Sequence, residues 1–247
     1  MNNPYQLNNK RILITGASSG IGKATALLCS QLGAELIITG RDENRLTATF
    51  DALSGAHHKK AVADLTQEEE VCELIASLQN IDGFVHCAGI NKRIPVQSLS
   101  QQYINNLLQT NFTSGALLSK YLVSKRKLNT TASVVFISSI SVHYPAIGNA
   151  MYCASKGALN SFSKGLALEL ATKKIRVNCI EPGMIASEWL SKSALSDEQL
   201  EQAKLKYPLK RFGTPEEVAY LAAFLLSDMT AWMTGSSIVM DGGLTLQ

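Results

Sequence analysis

Charge of one sign is scarce in this chain. Its 23 Lys and Arg stand against 20 Asp and Glu, leaving a formal net charge of +3. That balance is too small to argue for nucleic acid or an anionic membrane as a partner. Like-charge runs stop at Glu68-Glu69-Glu70 and Lys125-Arg126-Lys127, lengths that suit solvated helix faces. No apolar run approaches the roughly 18 residues of a membrane span. Met1 to Asn9 is polar and lacks the charged-then-apolar signature of a secretory signal. Cysteine is sparse and unpatterned. Cys29, Cys72, Cys87, Cys153 and Cys179 form no CxxC pair and no Cys/His ligand spacing. Neither a disulfide framework nor a metal site is therefore expected, and a reducing, cytoplasmic interior is the expected home. No composition break, internal repeat or low-complexity stretch divides the chain, so residues 1–247 are read as a single domain.

What is present is an alternation. Short apolar runs read as strands at Arg11–Thr15, Leu36–Thr39, Ala61–Ala63, Gly83–Cys87, Ser133–Ser138, Ile175–Ile180 and Ser237–Met240. Helical patterns fall between them at Gly20–Leu32, Glu43–Leu53, Gln67–Leu78, Gln101–Leu128, Asn149–Ala171 and Pro215–Leu226. Strands that are apolar throughout, separated by helices, imply a parallel sheet covered on both faces. Right-handed crossovers then give a doubly wound, Rossmann-like α/β fold with a seven-stranded parallel sheet. The polar, helix-prone segment 184–206 lies beyond the sixth strand and reads as an inserted substrate lid.

Directly after the first strand comes Thr15-Gly16-Ala17-Ser18-Ser19-Gly20-Ile21-Gly22. Glycines there allow a tight turn and a close approach of backbone N–H groups to a pyrophosphate, which the next helix faces with its positive end. The spacing is G-x-x-x-G-x-G. The second strand ends at Thr39-Gly40-Arg41, with no carboxylate at its tip to bind the ribose hydroxyls of NAD(H). A guanidinium pairs well with phosphate, so Arg41 favours a 2′-phosphate and hence NADP(H). Asp42 and Glu43 adjoin it, and either folding back onto ribose would favour NAD(H) instead.

The chemistry points to Tyr152-Cys153-Ala154-Ser155-Lys156, with Ser139 upstream. On a helix Tyr152 and Lys156 stand one turn apart on one face. A tyrosine with a pKa of roughly 10 is a poor acid–base group at neutral pH, but a neighbouring ammonium favours the phenolate. Ser139 can hydrogen-bond the same substrate oxygen. Together they make a general acid for a carbonyl, or a general base for an alcohol.

These motifs, with Asp64 after the third strand, Ala88-Gly89 after the fourth, Asn111, and Pro182-Gly183 after the sixth, appear in order along nearly the whole chain. The sequence resembles the short-chain dehydrogenase/reductase family. Arg211-Phe212-Gly213-Thr214-Pro215-Glu216-Glu217-Val218-Ala219 and Met240-Asp241-Gly242-Gly243 give it the look of 3-oxoacyl-(acyl-carrier-protein) reductases. The resemblance implies that Tyr152 donates the proton in reduction, Lys156 holds the nicotinamide ribose and lowers the tyrosine pKa, and Ser139 orients the substrate oxygen. It implies that Asn111 kinks its helix and holds a water leading to Lys156. Gly16, Ser18, Ser19, Gly20, Ile21 and Gly22 would hold the phosphates, Asp64 and Leu65 the adenine, and Ala88 and Gly89 the cofactor's flank. Pro182, Gly183, Ile185 and Ser187 would line the nicotinamide. A homotetramer through the two long helices and the last strand is implied as well.

Two departures stand out. His86-Cys87-Ala88-Gly89 replaces the usual Asn-Asn-Ala-Gly, so Cys87 is expected to pack as a small apolar residue and His86 as a buried imidazole. Ser19 stands where many NADPH-dependent members carry a basic residue, which leaves the NADP(H) reading on Arg41. His143, Tyr144 and Asn149 lie between Ser139 and Tyr152 and are expected to face substrate, with Met184, Trp189 and Leu190 reaching in from the lid. An acyl-carrier protein, being acidic, would need a basic patch near the cleft, for which Lys173, Lys174 and Lys125–Lys127 are candidates. Three readings follow: an NADP(H)-dependent carbonyl reductase acting on 3-oxoacyl thioesters, an NAD(H)-linked alcohol or sugar dehydrogenase, and a dinucleotide-binding sensor without turnover. The joint presence of Asn111, Ser139, Tyr152 and Lys156 speaks against the third.

Overall fold

A computed structural model of the chain describes residues 5–186 and 196–246. Seven strands lie side by side, all parallel: β1 (Arg11–Thr15), β2 (Glu35–Gly40), β3 (Lys59–Val62), β4 (Ile81–His86), β5 (Leu128–Ile137), β6 (Arg176–Pro182) and β7 (Ser237–Met240). Their order is β3-β2-β1-β4-β5-β6-β7. The doubly wound sheet with flanking helices is therefore present. The direction of winding reverses between β1 and β4, and the carboxyl ends of these neighbours leave the crevice where such sheets bind ligands.

Side-chain alternation assigns the two faces. Leu13 and Ile37 pack on one side with Leu118 and Leu122 of α5 (Ser114–Ser124) and Leu159, Leu166 and Leu170 of α6 (Ala150–Leu170). Ile12, Ile14, Leu36 and Ile38 pack on the other with Ala26 and Cys29 of α1 (Gly20–Gln31). Val218, Ala222, Leu225 and Leu226 of the helix Pro215–Leu226 join that side. Both faces are covered, which is why the strands read as continuous apolar runs rather than as alternations. The helices α2 (Glu43–Phe50), α3 (Glu68–Ser77) and α4 (Gln101–Leu108) complete the layers.

Several boundaries differ from the sequence reading, and the largest differences lie at three places. The expected helix Gln101–Leu128 is broken: after α4 comes a π-helical turn, Gln109–Thr113, then α5, which stops at Ser124. The chain then reverses, and Leu128 already pairs with Ile81 as the first residue of β5. The third strand sits two residues early, at Lys59–Val62, because an edge strand with exposed lysines carries little apolar signal. Within 184–206, residues 187–195, and with them Ser187, Trp189 and Leu190, lie outside the described residues. The described part is α7 (Asp197–Leu205), opened by a capping box between Ser196 and Gln199. The last helix, α8 (Pro215–Leu226), opens the same way with Thr214, Pro215 and Glu217.

Candidate active site

The turn after β1 is held by backbone contact. Gly16 adopts φ +65°, and a Cβ there would lie 2.9 Å from the Ala88 nitrogen at the tip of β4. A Cβ on Gly22 would overlap the Gly16 carbonyl, 2.7 Å from its carbon. Only hydrogen fits at either place. The first turn of α1 carries no acidic side chain, so its positive end faces the crevice uncompensated. The result is a cavity of about 380 Å³ lined by the Gly16–Gly22 turn, Arg41, Asp42, Arg45, Asp64, Leu65, Ala88 and Gly89. Arg41 is exposed and has no partner among the described residues, whereas the Asp42 carboxylate accepts from Arg45 N at 3.0 Å as the cap of α2. The glycine cradle and the bare helix end fit the pyrophosphate of a dinucleotide, with an unpaired guanidinium at one side of the cavity.

The second cavity opens beside the first and measures about 630 Å³. Ser139, Asn149, Tyr152, Lys156, Pro182, Gly183, Met184 and Ile185 line it, as do Tyr144, Asn91, Arg93, Tyr207 and Leu244. Four elements converge here. Ser139 caps the 3₁₀ turn after β5, its hydroxyl accepting from Ser141 N at 3.1 Å. Tyr152 and Lys156 project from the first turns of α6. Burial pushes the Tyr152 phenol above its ordinary value, while a hydrogen bond with the Ser139 side chain pulls it down. The sequence reading has Lys156 lowering this phenol; in the structure burial dominates and the phenol stays up.

Lys156 is itself buried and donates to the Ile137 carbonyl at 2.8 Å. Burial pushes its pKa down to about 8. Gly89 leaves it room, since a Cβ there would stand 3.3 Å from the ammonium nitrogen. Asn111 sits in the π turn, where the widened backbone turns its amide toward the tip of β4. Its oxygen accepts from Ile90 N at 2.7 Å, and its nitrogen donates to the Ile90 carbonyl at 2.9 Å and Ser155 Oγ at 3.0 Å. The amide thus ties the π turn to both the β4 tip and α6.

The depressed Lys156 pKa fixes the sign of a stability effect. The unfolded lysine binds its proton up to roughly pH 10.4, the folded one only up to about pH 8. Between these values the unfolded chain holds more protons, so the penalty that burying this ammonium puts on folding is relieved as pH rises. Urea midpoints of the parent minus those of Lys156→Met should therefore increase from pH 7.5 to pH 9.5. A difference that stays flat or declines would contradict the burial of the ammonium.

Other expected residues land elsewhere. His143 does not line the substrate cavity. Its Nε2 lies 3.0 Å from Glu181 Oε2, a carboxylate that is 0% exposed. Asn160 Nδ2 donates to the other Glu181 oxygen at 2.7 Å, while Oε2, within ion-pair distance of the imidazole, accepts no hydrogen bond among the described residues. Neither Glu181 nor Asn160 was legible as part of this arrangement, because each sits on a different element. His86 is a buried imidazole, 3.0 Å from Thr15 Oγ1 through Nδ1, with its pKa pushed down to about 3, chiefly by burial. Gly115 makes space for that ring, a Cβ there meeting His86 Cδ2 at 2.9 Å. Cys87 packs against the apolar cluster around β1, and burial pushes its thiol up to about 12. Lys125–Lys127 and Lys173–Lys174 precede β5 and β6, at the amino edge of the sheet opposite the cleft, so they form no basic patch at its mouth. Arg45, Asn91 and Arg93 were missed. The signal for the last two was the polar run Asn91-Lys92-Arg93 directly after the β4 tip.

Among the described residues no group of His, Cys, Asp and Glu side chains is placed to hold a metal, and no helix is long and apolar enough to cross a membrane. A family profile described as enoyl-(acyl carrier protein) reductase matches residues 16–245. The 3-oxoacyl-(acyl-carrier-protein) reductase FabG of Rickettsia prowazekii is 35% identical over 240 residues, covering 97% of this chain and 98% of that one. Glucose 1-dehydrogenase of Gluconobacter oxydans is 33% identical over 255 residues, covering 98% and 95%. A crystal structure from Brucella melitensis, described as a short-chain dehydrogenase/reductase and glucose/ribitol dehydrogenase, superposes with a TM-score of 0.91 at 31% identity, over 97% of this chain and 98% of that one. Family profile, relatives and fold agree, and the chain belongs to the short-chain dehydrogenase/reductase family of oxidoreductases.

Proposed function

We propose that the protein is an NADP(H)-dependent carbonyl reductase whose substrates include 3-oxoacyl thioesters. The observation that carries the chemistry is the convergence of Ser139, Tyr152 and Lys156 on one cavity next to the glycine-lined one. The cofactor, when bound, supplies the hydride. This chain's residues do the rest. Ser139 orients the carbonyl oxygen by hydrogen bonding. Tyr152 gives that oxygen its proton as the hydride arrives. A phenol raised by burial is protonated at neutral pH, which suits the donor role and the reductive direction. Lys156 holds the ribose side, and Asn111 keeps the π turn, Ile90 and α6 in register around it. Met184, Ile185 and Tyr207, at the two ends of 184–206, line the same cavity and support that segment as its cover. The thioester class is supported by the 3-oxoacyl reductase relatives, which also make an acyl-carrier protein the proposed partner.

The choice of NADP(H) rests on the free Arg41 and on the employment of Asp42 as a helix cap. Arg41→Ala should lower the NADPH-over-NADH ratio of kcat/KM by roughly tenfold or more, the worth of a charge-assisted phosphate contact. The experiment that tests the function is NADPH and NADH oxidation against acetoacetyl thioesters, simple ketones and keto-sugars. No turnover of any carbonyl would defeat the reading, and an NADH preference in the parent would defeat its cofactor half.

A sugar or polyol dehydrogenase is the second reading. It is favoured by Asn91 and Asn149, two carboxamides in the cavity whose oxygens are buried without a hydrogen-bond partner among the described residues. Assembly into a tetramer is also proposed, supported by Leu168 on α6, 81% exposed, and the fully exposed Trp232.

A further inference from the structure

The substrate cavity has a one-sided charge. Arg45, Arg93 and Lys156 line it, and among the described residues no Asp or Glu does. Lys156 and Arg45 are accounted for, the first by Ile137 and the second by the cofactor side, where it lines the glycine-turn cavity as well. Arg93 is not. It is exposed, and it has no hydrogen-bond or ion-pair partner among the described residues.

Its position is fixed although its side chain is unpaired. The loop that carries it leaves β4 at the Asn111-bound Ile90, and Tyr103 Oη donates to the Lys92 carbonyl at 2.5 Å. Ile94 N donates to the Gly148 carbonyl at 2.8 Å. A Cβ on Gly148, which has φ +80°, would lie 3.3 Å from Arg93 Cβ. The arginine backbone is thus clamped against the loop that leads into Asn149 and Tyr152. Asn149 is 5% exposed, and its carboxamide oxygen has no partner among the described residues.

A guanidinium held on a braced loop, facing a cavity without counter-charge, is a specificity device for carboxylate or phosphate. We infer that Arg93 anchors an anionic oxygen group at the end of the substrate away from the reacting carbonyl. This rests on the reading of the cavity as the substrate site. The group is a carboxylate or a phosphate. In both cases the two oxygens meet the guanidinium fork, while the carbonyl reaches Tyr152 and Ser139. Uncharged ketones of the same length lack that anchor and are the poorer substrates.

Two matched pairs test this and tell the sources apart. Acetoacetyl-coenzyme A is compared with acetoacetyl-N-acetylcysteamine, which lacks the phosphates. A keto-sugar acid, 5-keto-D-gluconate, is compared with L-sorbose, its neutral counterpart of the same configuration. In at least one pair the parent should prefer the anionic member. Arg93→Ala should lower the anionic-over-neutral ratio of kcat/KM by roughly 10- to 100-fold, mainly through KM. Arg93→Lys should keep part of the preference, losing the bidentate geometry but not the charge. Preference in the first pair alone identifies phosphate, in the second alone carboxylate. An unchanged ratio in Arg93→Ala, or no anionic preference in the parent, overturns the inference.

Calorimetric binding of the same four compounds to the parent and to Arg93→Ala separates this result from the catalytic reading. A binding preference that depends on Arg93 without turnover would sink the reductase reading and leave the anchor standing. Turnover without such a preference would do the reverse. No detectable binding of any of the four, with no turnover, would remove both.

Discussion

Tyr152→Phe should lower kcat for NADPH-driven carbonyl reduction by roughly 10²–10⁴-fold, the usual worth of a positioned proton donor. The ring remains, so the cavity wall and the helix are kept and only the hydroxyl goes. In the parent that hydroxyl shares a hydrogen bond with the Ser139 side chain inside a buried site. Its removal leaves Ser139 with its bonds to Ser141, whose nitrogen donates at 3.1 Å. NADPH affinity, followed by the cofactor's fluorescence, should change by less than tenfold, since Tyr152 lines the substrate cavity and not the glycine-turn cavity. Catalysis and binding are thereby separated in one variant. Turnover by Tyr152→Phe at the parental rate would mean that another group, or water, delivers the proton. The pH dependence of the parent has a defined sign as well. Reduction needs the protonated phenol, so it should hold through neutral pH and fall only in alkali, where the raised phenol titrates.

The second large effect belongs to the glycine turn after β1, proposed above to hold the cofactor. Gly22→Ala should abolish NADPH binding to within measurement, a loss of at least about 10²-fold, and destabilise the fold by roughly 1–3 kcal/mol. The added methyl meets the Gly16 carbonyl and, at 3.1 Å, the Ala17 nitrogen. These are backbone atoms of the turn itself. They cannot rotate aside as a flexible side chain would. Relief requires α1 to retreat from the β1 tip or the turn to open, and either one disperses the N–H groups aimed at the pyrophosphate. Calorimetry with NADPH and urea unfolding would check the two halves. Parental affinity together with a parental unfolding midpoint would show that the turn is not under this constraint.

The sheet was legible because both of its faces are buried. Leu13 facing one layer and Ile12 and Ile14 the other make the middle of β1 apolar on both faces, as do Ile37 between Leu36 and Ile38 in β2 and Val135 between Val134 and Phe136 in β5. At the β3 edge, where burial is weak, the boundary was misread, although the other edge strand, β7, falls where the sequence places it. The exposed edge strand β3 was misplaced by two residues. The break at Gln109–Thr113 left no periodic trace, because a π turn adds one residue to a helix that is otherwise continuous in character. The glycine turn and the Tyr152-x-x-x-Lys156 spacing are local patterns, set by the rise of one helix and the sterics of one turn, and a single stretch of chain contains them.

His143 shows what local pattern does not contain. From its place between Ser139 and Tyr152 it belongs to the substrate. The fold instead brings the buried carboxylate of Glu181, near the end of β6, within 3.0 Å of its Nε2. The sequence favours Arg41 for a 2′-phosphate and leaves Asp42 or Glu43 as the alternative on ribose; in the fold the Asp42 side chain caps α2. The lysines before β5 and β6 looked close to the cleft in the sequence and stand at the far edge of the sheet. The amino-acid order by itself determined the layered parallel architecture, the phosphate turn and the Tyr–Lys pair, since each depends on neighbours a few residues apart. Tertiary structure alone decided which polar groups are consumed by one another and which, like Arg93, are left facing the cavity, because that depends on partners contributed by distant strands and loops.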